Sequence, residues 1–308
     1  MPGDPLSGSV VGARTGGSLS TSITRSAPTP ANRGSDGREF EFTSADFEKI
    51  RKLIYEHAGI SLSPVKQDMV YSRLARRLRH YGDTTFAQYL RRLEQDSTEW
   101  ETFVNSLTTN LTSFFRESHH FEILADKLRG LAQRRPIKIW CSAASTGEEP
   151  YSLAMTACEA FNSLTPPVQI LASDIDTNVL AHGEKGIFAL DRVEKLSPER
   201  LRKFFLKGGG TQAGYARVRP ELQRLISFRQ INLLEGNWPI QGPVDVIFCR
   251  NVMIYFDKPT QYGILKRFMP LLRRDGLLFA GHSESFMHAS DLFRSLGRTV
   301  YERVDAGV

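Results

Sequence analysis

Apolar side chains recur every three or four residues in the first third of the chain. Val70, Leu74 and Leu78 share one helical face with neighbouring tyrosines, and Gly82 ends the pattern. N-cap chemistry and glycine stops delimit similar segments. The predicted helices span residues 46–58, 65–81, about 84–93 and about 98–107. Together they predict a small all-α domain that, with a linker, covers residues 39–120.

After residue 120 the pattern changes to short apolar runs, rich in strand-forming residues, that alternate with helical stretches. The predicted strands are Ile137–Cys141, 168–173, Val244–Cys249 and 277–280. Strands alternating with helices predict a parallel sheet covered on both faces. Residues 121–308 are therefore expected to form a Rossmann-like α/β domain.

One glycine-rich stretch interrupts this alternation. Gly208, Gly209 and Gly210 precede two segments with strand character, at residues 215–219 and 226–231. We expect these segments to pair as antiparallel strands. They predict a small β-subdomain inserted at about residues 193–230.

Composition sets the N-terminal segment apart from the rest. Gly, Ser, Pro and Thr supply 21 of the first 35 residues, while hydrophobic residues make up 41% of the whole chain. A segment with so few apolar side chains cannot offset its ordering entropy by burial. We expect a disordered tail over residues 1–38.

Several classes of protein are excluded by what the sequence does not contain. The three cysteines form no C-x-x-C pair, which argues against a disulfide framework, a structural zinc or another metal site. No apolar run approaches the roughly 18 residues of a membrane span, and the first residues lack a signal-peptide pattern. We expect a cytoplasmic protein without membrane insertion.

The formal net charge of +6 is concentrated in one place. Residues 66–92 contain seven Lys and Arg against two Asp, a surplus of five. Four of these cations occupy the helical face opposite the apolar one: Arg73, Arg76, Arg77 and Arg79. The face is either simply solvated or a docking surface for an acidic partner. Without aromatics spaced for base stacking, an acidic protein surface is a better candidate than nucleic acid.

The first strand leads into a turn of small residues followed by two acids. This turn contains Gly147, Glu148 and Glu149 but neither a G-x-G-x-x-G motif nor a phosphate-binding loop. Two glutamates would repel a pyrophosphate and would suit a ligand with a cationic amine. The alternative is structural, because Ser145 and Glu148 fit a capping box at the start of a helix.

An acidic residue, Asp174, ends the second predicted strand. At this place a carboxylate can accept hydrogen bonds from both ribose hydroxyls of an adenosine cofactor. The alternative is an aspartate that caps the following helix. An adenosine cofactor with an amino group and no phosphate points to S-adenosylmethionine, and hence to a methyltransferase.

Two further runs lie where such an enzyme needs them. Residues 110–116 join the two domains and end in Arg116, while residues 248–256 continue a buried strand into a loop with Arg250, Asn251 and Tyr255. For Arg116 an ordinary ion pair, and for Tyr255 a half-buried structural position, remain equally open.

Taken together, the motifs closely resemble those of the CheR family of chemotaxis receptor methyltransferases. The resemblance covers about residues 40–304, with the motifs in the family's order, and does not reach the first 38 residues. The matching runs lie at residues 107–116, 141–152, 173–176, 231–233, 248–256 and 281–284. The resemblance implies methyl transfer from S-adenosylmethionine to glutamate side chains of chemoreceptors. The products would be glutamyl 5-O-methyl esters and S-adenosylhomocysteine, made for chemotaxis adaptation.

The resemblance also implies roles for individual residues. Glu149, or its neighbour Glu148, would take the methionyl amino group, Asp174 the ribose, and Arg116 with Tyr255 would be the catalytic pair. The cofactor-binding positions implied are Asn110, Thr112, Arg116, Glu148, Glu149, Asp174, Asn232, Leu233, Arg250 and Asn251. No metal is implied.

The same resemblance suggests the partners. The basic face with Arg73, Arg76, Arg77 and Arg79 would dock on the cytoplasmic helical region of chemoreceptors. The segment Gly208-Gly209-Gly210 resembles a β-subdomain that binds a receptor C-terminal peptide by strand addition, the alternative being an ordinary mobile hairpin. We expect a monomer that does not bind nucleic acid.

Two rival functions remain to be weighed. A nucleic-acid methyltransferase would need an N-P-P-Y-like loop or a catalytic cysteine at the fourth strand, where this chain has Cys249-Arg250-Asn251. A catalytically idle binding module is disfavoured because Arg116, Glu149, Asp174 and Tyr255 are all intact, and a retired site has little reason to keep all four residue types.

Overall fold

The computed structural model describes residues 38–131 and 136–304. The predicted disordered tail, residues 1–38, lies outside the described residues apart from its last position. The all-α N-terminal domain and the following α/β domain are both confirmed.

The N-terminal domain is built from four helices. Thr43 begins the first with a capping box, and the left-handed residues Gly59 and Gly82 end the first and second, which satisfies the terminal backbone groups. Their apolar faces form one core that contains Ile50, Leu74 and the other residues predicted for that face. The helices are α1 (Ser44–Ala58), α2 (Gln67–Tyr81), α3 (Phe86–Gln95) and α4 (Glu99–Leu107).

A buried carboxylate ties three of these helices together. Glu99 on α4 is only 2% exposed and accepts two hydrogen bonds from Arg77 on α2, at 2.9 and 2.8 Å. The hydroxyls of Tyr81 and Tyr89 donate to the same carboxylate at 2.9 and 2.8 Å. Although burial raises the pKa of Glu99, these donors hold it below its ordinary value, so the group is ionised inside the domain.

The second domain contains a mixed seven-stranded sheet. Its strands are β1 (Ile137–Cys141), β2 (Val168–Asp174), β6 (Ile226–Gln230), β7 (Val244–Cys249), β8 (Leu272–Ala280), β9 (Phe293–Gly297) and β10 (Val300–Arg303). The order is β6-β2-β1-β7-β8-β10-β9. The first five strands in this order are parallel, as predicted for β1, β2, β7 and β8, whereas β10 and β9 form an antiparallel edge.

A separate three-stranded antiparallel sheet forms the predicted insertion, and it contains one of the two predicted strands, residues 215–219. It consists of β3 (Ile187–Ala189), β4 (Phe205–Lys207) and β5 (Tyr215–Val218), in the order β3-β5-β4. The prediction that residues 226–231 belong to it is wrong, because β6 pairs in parallel with β2 at the edge of the main sheet. The small sheet therefore spans 187–218, not about 193–230. A short apolar strand does not reveal its partner, and the turn of α10 (Pro220–Gln223) redirects the chain.

Helices cover both faces of the main sheet. Alternate residues of β1 enter different cores, with Ile139 beside Phe248 on one face and Trp140 beside Phe268 on the other. The remaining helices are α5 (His119–Leu131), α6 (Glu148–Ala160), α7 (Thr177–Lys185), α8 (Leu190–Val193), α9 (Pro198–Phe204) and α11 (Lys258–Leu271). Within the ranges described, no helix combines the length and apolarity that crossing a bilayer requires.

Candidate functional site

A cavity of about 430 Å³ lies between the N-terminal domain and the carboxyl ends of the parallel strands. This is the edge at which open α/β sheets bind their ligands, and the volume suits a small-molecule site. The predicted residues in its wall are Asn110, Thr112, Arg116, Glu149, Asp174, Asn232, Leu233, Arg250, Asn251 and Tyr255. The fold thus brings together all the predicted cofactor and catalytic positions except Glu148.

Glu148 lies outside the cavity wall, so of the two glutamates that the sequence left open it is the weaker candidate for the cofactor. Its carboxylate is 1% exposed and is bound by the Arg192 guanidinium and, at 2.6 Å, by the Thr146 hydroxyl. Successive residues on a helix point about 100° apart, and in this turn Glu148 faces Arg192 whereas Glu149 lines the cavity.

The capping-box interpretation of this turn is also wrong. The N-cap of α6 is Gly147, without a side-chain cap, and the Ser145 hydroxyl instead donates to the carbonyl of Asn110 at 3.1 Å. Gly147 has φ +102°, and a Cβ there would lie 2.9 Å from the Cα of Gly183. Close packing of the turn against α7 therefore requires glycine at this position.

Glu149 is a buried carboxylate in contact with a buried cation. One oxygen accepts the Cys141 thiol at 3.3 Å, and the other lies 2.9 Å from Arg250 Nη1 in an ion pair. Burial raises the pKa of Glu149, while Arg250 acts in the opposite direction. Such a group can bind a ligand's ammonium in a site shielded from water.

Asp174 also faces the cavity and carries two backbone hydrogen bonds. Its oxygens accept the N–H groups of Ser145, at 2.8 Å, and Asp176, at 3.1 Å. Burial raises the pKa of Asp174 to about 6, against the lowering effect of these bonds. The helix-capping alternative is wrong, since Asp176 is the residue that caps α7.

Asp176 was not predicted, and it links the two domains. Besides capping α7, its carboxylate accepts the Thr108 hydroxyl at 2.9 Å and the Asn110 amide at 2.8 Å. The predicted cofactor residue Asn110 therefore has an amide already bound within the protein. The sequence contained a signal for the capping role of Asp176, because this second acid of the Asp174-x-Asp176 pair directly precedes a helix.

Arg116 and Tyr255 reach the mouth of the cavity from different loops. The Arg116 side chain is 40% exposed and donates to the carbonyl of Leu111 at 3.0 Å, and its long contact with Glu117 is 4.0 Å. The Tyr255 hydroxyl donates weakly to the carbonyl of Thr109, at 3.4 Å. Burial raises the pKa of Tyr255, while Arg116 and Arg73 counteract it. Both polar groups retain capacity to bind a ligand.

A second carboxylate outside the prediction orders the loop that carries Tyr255. Glu284 is 5% exposed and accepts the backbone N–H groups of Gly281, at 2.5 Å, Asn251, at 2.9 Å, and Ile254, at 3.3 Å. Gly281 is required here because a Cβ would lie 2.3 Å from the Asn251 amide. These contacts hold Arg250 to Tyr255 in a defined turn.

Left-handed backbone conformations concentrate around the cavity. Four of the seven non-glycine residues with positive φ in the part of the chain described are Phe115, Glu117, Ser145 and Asn251. Their φ values lie between 48° and 58°. Such conformations cost free energy and persist where surrounding contacts enforce them, as at functional sites.

The predicted basic face of α2 is largely occupied by contacts within the domain. Arg73 donates to the carbonyls of Ser106 and Thr108, Arg77 binds Glu99, and Arg79 binds Glu39 at 2.6 Å. Arg76 is exposed and has no ion-pair partner among residues 38–131 and 136–304. Arg73 and Arg77 are thus engaged by α4 and the segment after it, which the helical projection of α2 did not predict, and docking by this face stays a prediction.

The three predicted glycines of the insertion form the turn of its hairpin. A Cβ at Gly208 would lie 2.1 Å from the carbonyl oxygen of Gln212, and Gly210 has φ +56°. Gly209 is exposed and unconstrained by neighbours in the described structure. The hairpin itself therefore explains two of the glycines, and peptide binding there stays a prediction.

Comparisons with known proteins agree with this geometry. The all-alpha domain of CheR methyltransferases matches residues 45–108, and their SAM binding domain matches residues 110–302. Chemotaxis protein methyltransferase 2 of Pseudomonas aeruginosa is 56% identical over 265 residues, which are 86% of this chain and 95% of that protein. Chemotaxis protein methyltransferase of Escherichia coli is 51% identical over 261 residues, 84% of this chain and 91% of that protein. The chain therefore belongs to the CheR methyltransferase family, whose S-adenosylmethionine-binding domain forms most of this cavity.

Proposed function

We propose that this chain transfers the methyl group of S-adenosylmethionine to glutamate side chains of chemoreceptors. The products are glutamyl 5-O-methyl esters and S-adenosylhomocysteine, and the reaction serves adaptation in chemotaxis. One observation carries the proposal: a cavity with acids on its inner wall, Glu149 and Asp174, has Arg116 and Tyr255 at its mouth. The names of the similar proteins, all chemotaxis protein methyltransferases, point the same way.

The inner wall has the donor and acceptor set that S-adenosylmethionine needs. Glu149 would hold the methionyl ammonium, and Asp174 the ribose hydroxyls. Ser142 and Ala143 leave room for close approach to the backbone, while Leu233 offers an apolar surface for the adenine. Nη1 of Arg250 is already paired with Glu149, whereas its buried Nε has no hydrogen-bond partner among the described residues, so one donor of this cation is unused.

The outer residues suit attack by a carboxylate. When bound, S-adenosylmethionine supplies a methyl group on a positively charged sulfur, which is a good leaving group. A substrate glutamate is already ionised at neutral pH, so the protein needs no strong base. Arg116 would orient this carboxylate, and the Tyr255 hydroxyl would donate to one of its oxygens. The other oxygen then keeps its electron pair for in-line attack, and positioning supplies most of the rate enhancement.

The substrate partner is inferred from charge and from the relatives. Arg76 presents an exposed cation on α2, and Lys66 lies in the cavity wall at the start of the same helix; both would meet acidic residues near the target glutamate. The small sheet would bind a receptor C-terminal peptide as an added strand at one of its open edges. We expect the enzyme to act as a monomer in the cytoplasm.

A transfer assay tests the proposal against both rivals. Labelled S-adenosylmethionine is offered with receptor cytoplasmic fragments, RNA or DNA, and we expect label only on the receptor, released as methanol by mild base. Labelled nucleic acid would favour the first rival, although Cys249 is fully buried in β7 and burial raises the pKa of its thiol. Receptor binding without any transfer would favour the idle module.

A further inference from the structure

The carboxylate of Glu117 lies close to the cavity but has no role in the proposed methyl transfer. Glu117 does not line the cavity, and its side chain is 13% exposed. Its Oε1 accepts the backbone N–H of His282 at 3.1 Å and the Asn251 amide at 3.4 Å. Its backbone is left-handed, with φ +57°, so the chain accepts a cost to direct this side chain inward.

The other oxygen of Glu117 faces the buried guanidinium of Arg250. Oε2 lies 3.2 Å from Nη2, which also donates to the carbonyl of Arg116 at 2.6 Å. Glu149 lies on the other side of the same guanidinium, 2.9 Å from Nη1. Two carboxylates therefore flank one cation, whose side chain is fully buried.

The charge of this triad determines what Glu149 can do. With Arg250 alone, the negative charge of Glu149 would be compensated within the protein, and a ligand ammonium would have to compete with the guanidinium. Glu117 supplies a second negative charge, so the triad carries a net charge of −1. Burial raises the pKa of Glu117, yet Arg250 and the other contacts hold it below its ordinary value, so the group is ionised at neutral pH.

We infer that Glu117 is a positioning residue that neutralises Arg250 and thereby leaves the charge of Glu149 available for the ammonium of the cofactor's amino-acid group. The inference rests on the proposed function, specifically on Glu149 as the ammonium site. Two further groups lie near Glu117. Arg116 Nε is 4.0 Å from its Oε1, but the Arg116 side chain is 40% exposed, so solvent screens this charge far more than that of the buried Arg250. His120 lies 3.6 Å from Glu117, and burial lowers the pKa of His120 to about 4, so it brings no charge near neutrality.

Two ligands separate this role from a merely structural one. S-adenosylhomocysteine carries the amino-acid group, whereas 5′-methylthioadenosine has the same nucleoside and lacks that group. Titration calorimetry of full-length Glu117→Gln should show binding of S-adenosylhomocysteine weakened about tenfold or more, and binding of methylthioadenosine unchanged. Equal weakening of both ligands, or of neither, would overturn the inference.

Matched variants complete the experiment. Glu117→Asp keeps the charge and should retain the wild-type ratio of the affinities for S-adenosylhomocysteine and methylthioadenosine. This ratio can be measured even if the glutamine variant folds poorly. Glu122→Gln, an exposed position on α5, is the neutral control. In the Glu149→Gln background, the Glu117→Gln change should have little further effect, because both act on one ammonium. Additive losses, or an aspartate variant that behaves like glutamine, would contradict the inference.

Failure of the inference is distinguishable from failure of the proposed function. If the wild-type chain does not prefer S-adenosylhomocysteine over methylthioadenosine, the ammonium site at Glu149 is wrong and the inference falls with it. If the wild type shows the preference and Glu117→Gln keeps it, only the role of Glu117 is wrong.

Discussion

Arg116 is the residue on which the proposed chemistry depends most directly. It reaches the cavity mouth from the segment between the domains, and its side chain is 40% exposed, so it can meet both cofactor and substrate. We expect Arg116→Ala to abolish turnover even at saturating cofactor, because the substrate carboxylate loses its orienting cation. Single-turnover methyl transfer measures this effect. Arg129→Ala, at an exposed position on α5, is the control, and near-normal transfer by Arg116→Ala would contradict the assignment.

Tyr255 should contribute through one hydrogen bond. Tyr255→Phe removes a donor to a charged oxygen, which is worth about 1.5–3 kcal/mol, or roughly a tenfold to hundredfold loss in kcat. The affinity for S-adenosylhomocysteine should stay the same, since Glu149 and Asp174 are untouched. Kinetics and calorimetry on the same variant check both parts. A loss of cofactor affinity with unchanged kcat would place Tyr255 in binding rather than in transfer.

The raised pKa of Asp174 predicts that cofactor binding depends on pH. Burial raises the pKa of its carboxyl to about 6, and only the ionised form accepts hydrogen bonds from both ribose hydroxyls. The affinity for S-adenosylhomocysteine should therefore be constant above this pH and fall by up to about tenfold per unit below it. Calorimetry across about pH 5–8 measures the profile. The Asp174→Asn variant should bind S-adenosylhomocysteine weakly, and its affinity should change less with pH. If the affinities of wild type and variant fell equally with pH, Asp174 would not be the ribose-binding group.

At the scale of elements, α2 carries two arginines that are adjacent in sequence and different in role. Arg77 binds the buried Glu99, so removing it leaves an uncompensated buried charge. We expect Arg77→Met to lower the free energy of unfolding by about 3 kcal/mol, measured by denaturant titration. Unchanged stability would mean that the Glu99 site does not anchor the N-terminal domain.

Arg76 is the matched comparison on the same helix. Because it is exposed, Arg76→Glu should leave stability and cofactor affinity unchanged while weakening receptor methylation. The loss should shrink at high salt, where screening removes the attraction in the wild type as well. Receptor methylation rates at two ionic strengths test this point, and equal rates for wild type and variant at low salt would leave α2 as an ordinary solvated helix.

At the scale of the whole molecule, local signals predicted most of the architecture. Gly59 and Gly82 end helices as expected, and the run Ile137–Cys141 forms the central strand β1. These predictions succeed because a cap or a buried strand is determined by a few neighbouring residues. The two-domain fold and ten residues of the cavity wall, recognised from motifs, followed without knowledge of distant contacts.

The features that were missed depend on contacts between distant parts of the chain. Strand character over Ile226–Gln230 is real, but pairing with β2 rather than with the insertion depends on the path of the intervening chain. The partner of Arg77 lies 22 residues away, so a helical projection of α2 alone made this side chain look free. Glu117 is likewise inconspicuous in sequence, and only its distance to Arg250 reveals a role.

The decisive experiment for methyl transfer to receptor glutamates is to map the atom that receives the methyl group. A receptor cytoplasmic fragment is incubated with the enzyme and S-adenosylmethionine, and the modified residue is identified by mass spectrometry before and after mild base. We expect methyl groups on glutamate side chains of the receptor's helical region, lost on base treatment, and absent with Arg116→Ala. Base-stable methylation of lysine, or transfer to nucleic acid and not to the receptor, would contradict it.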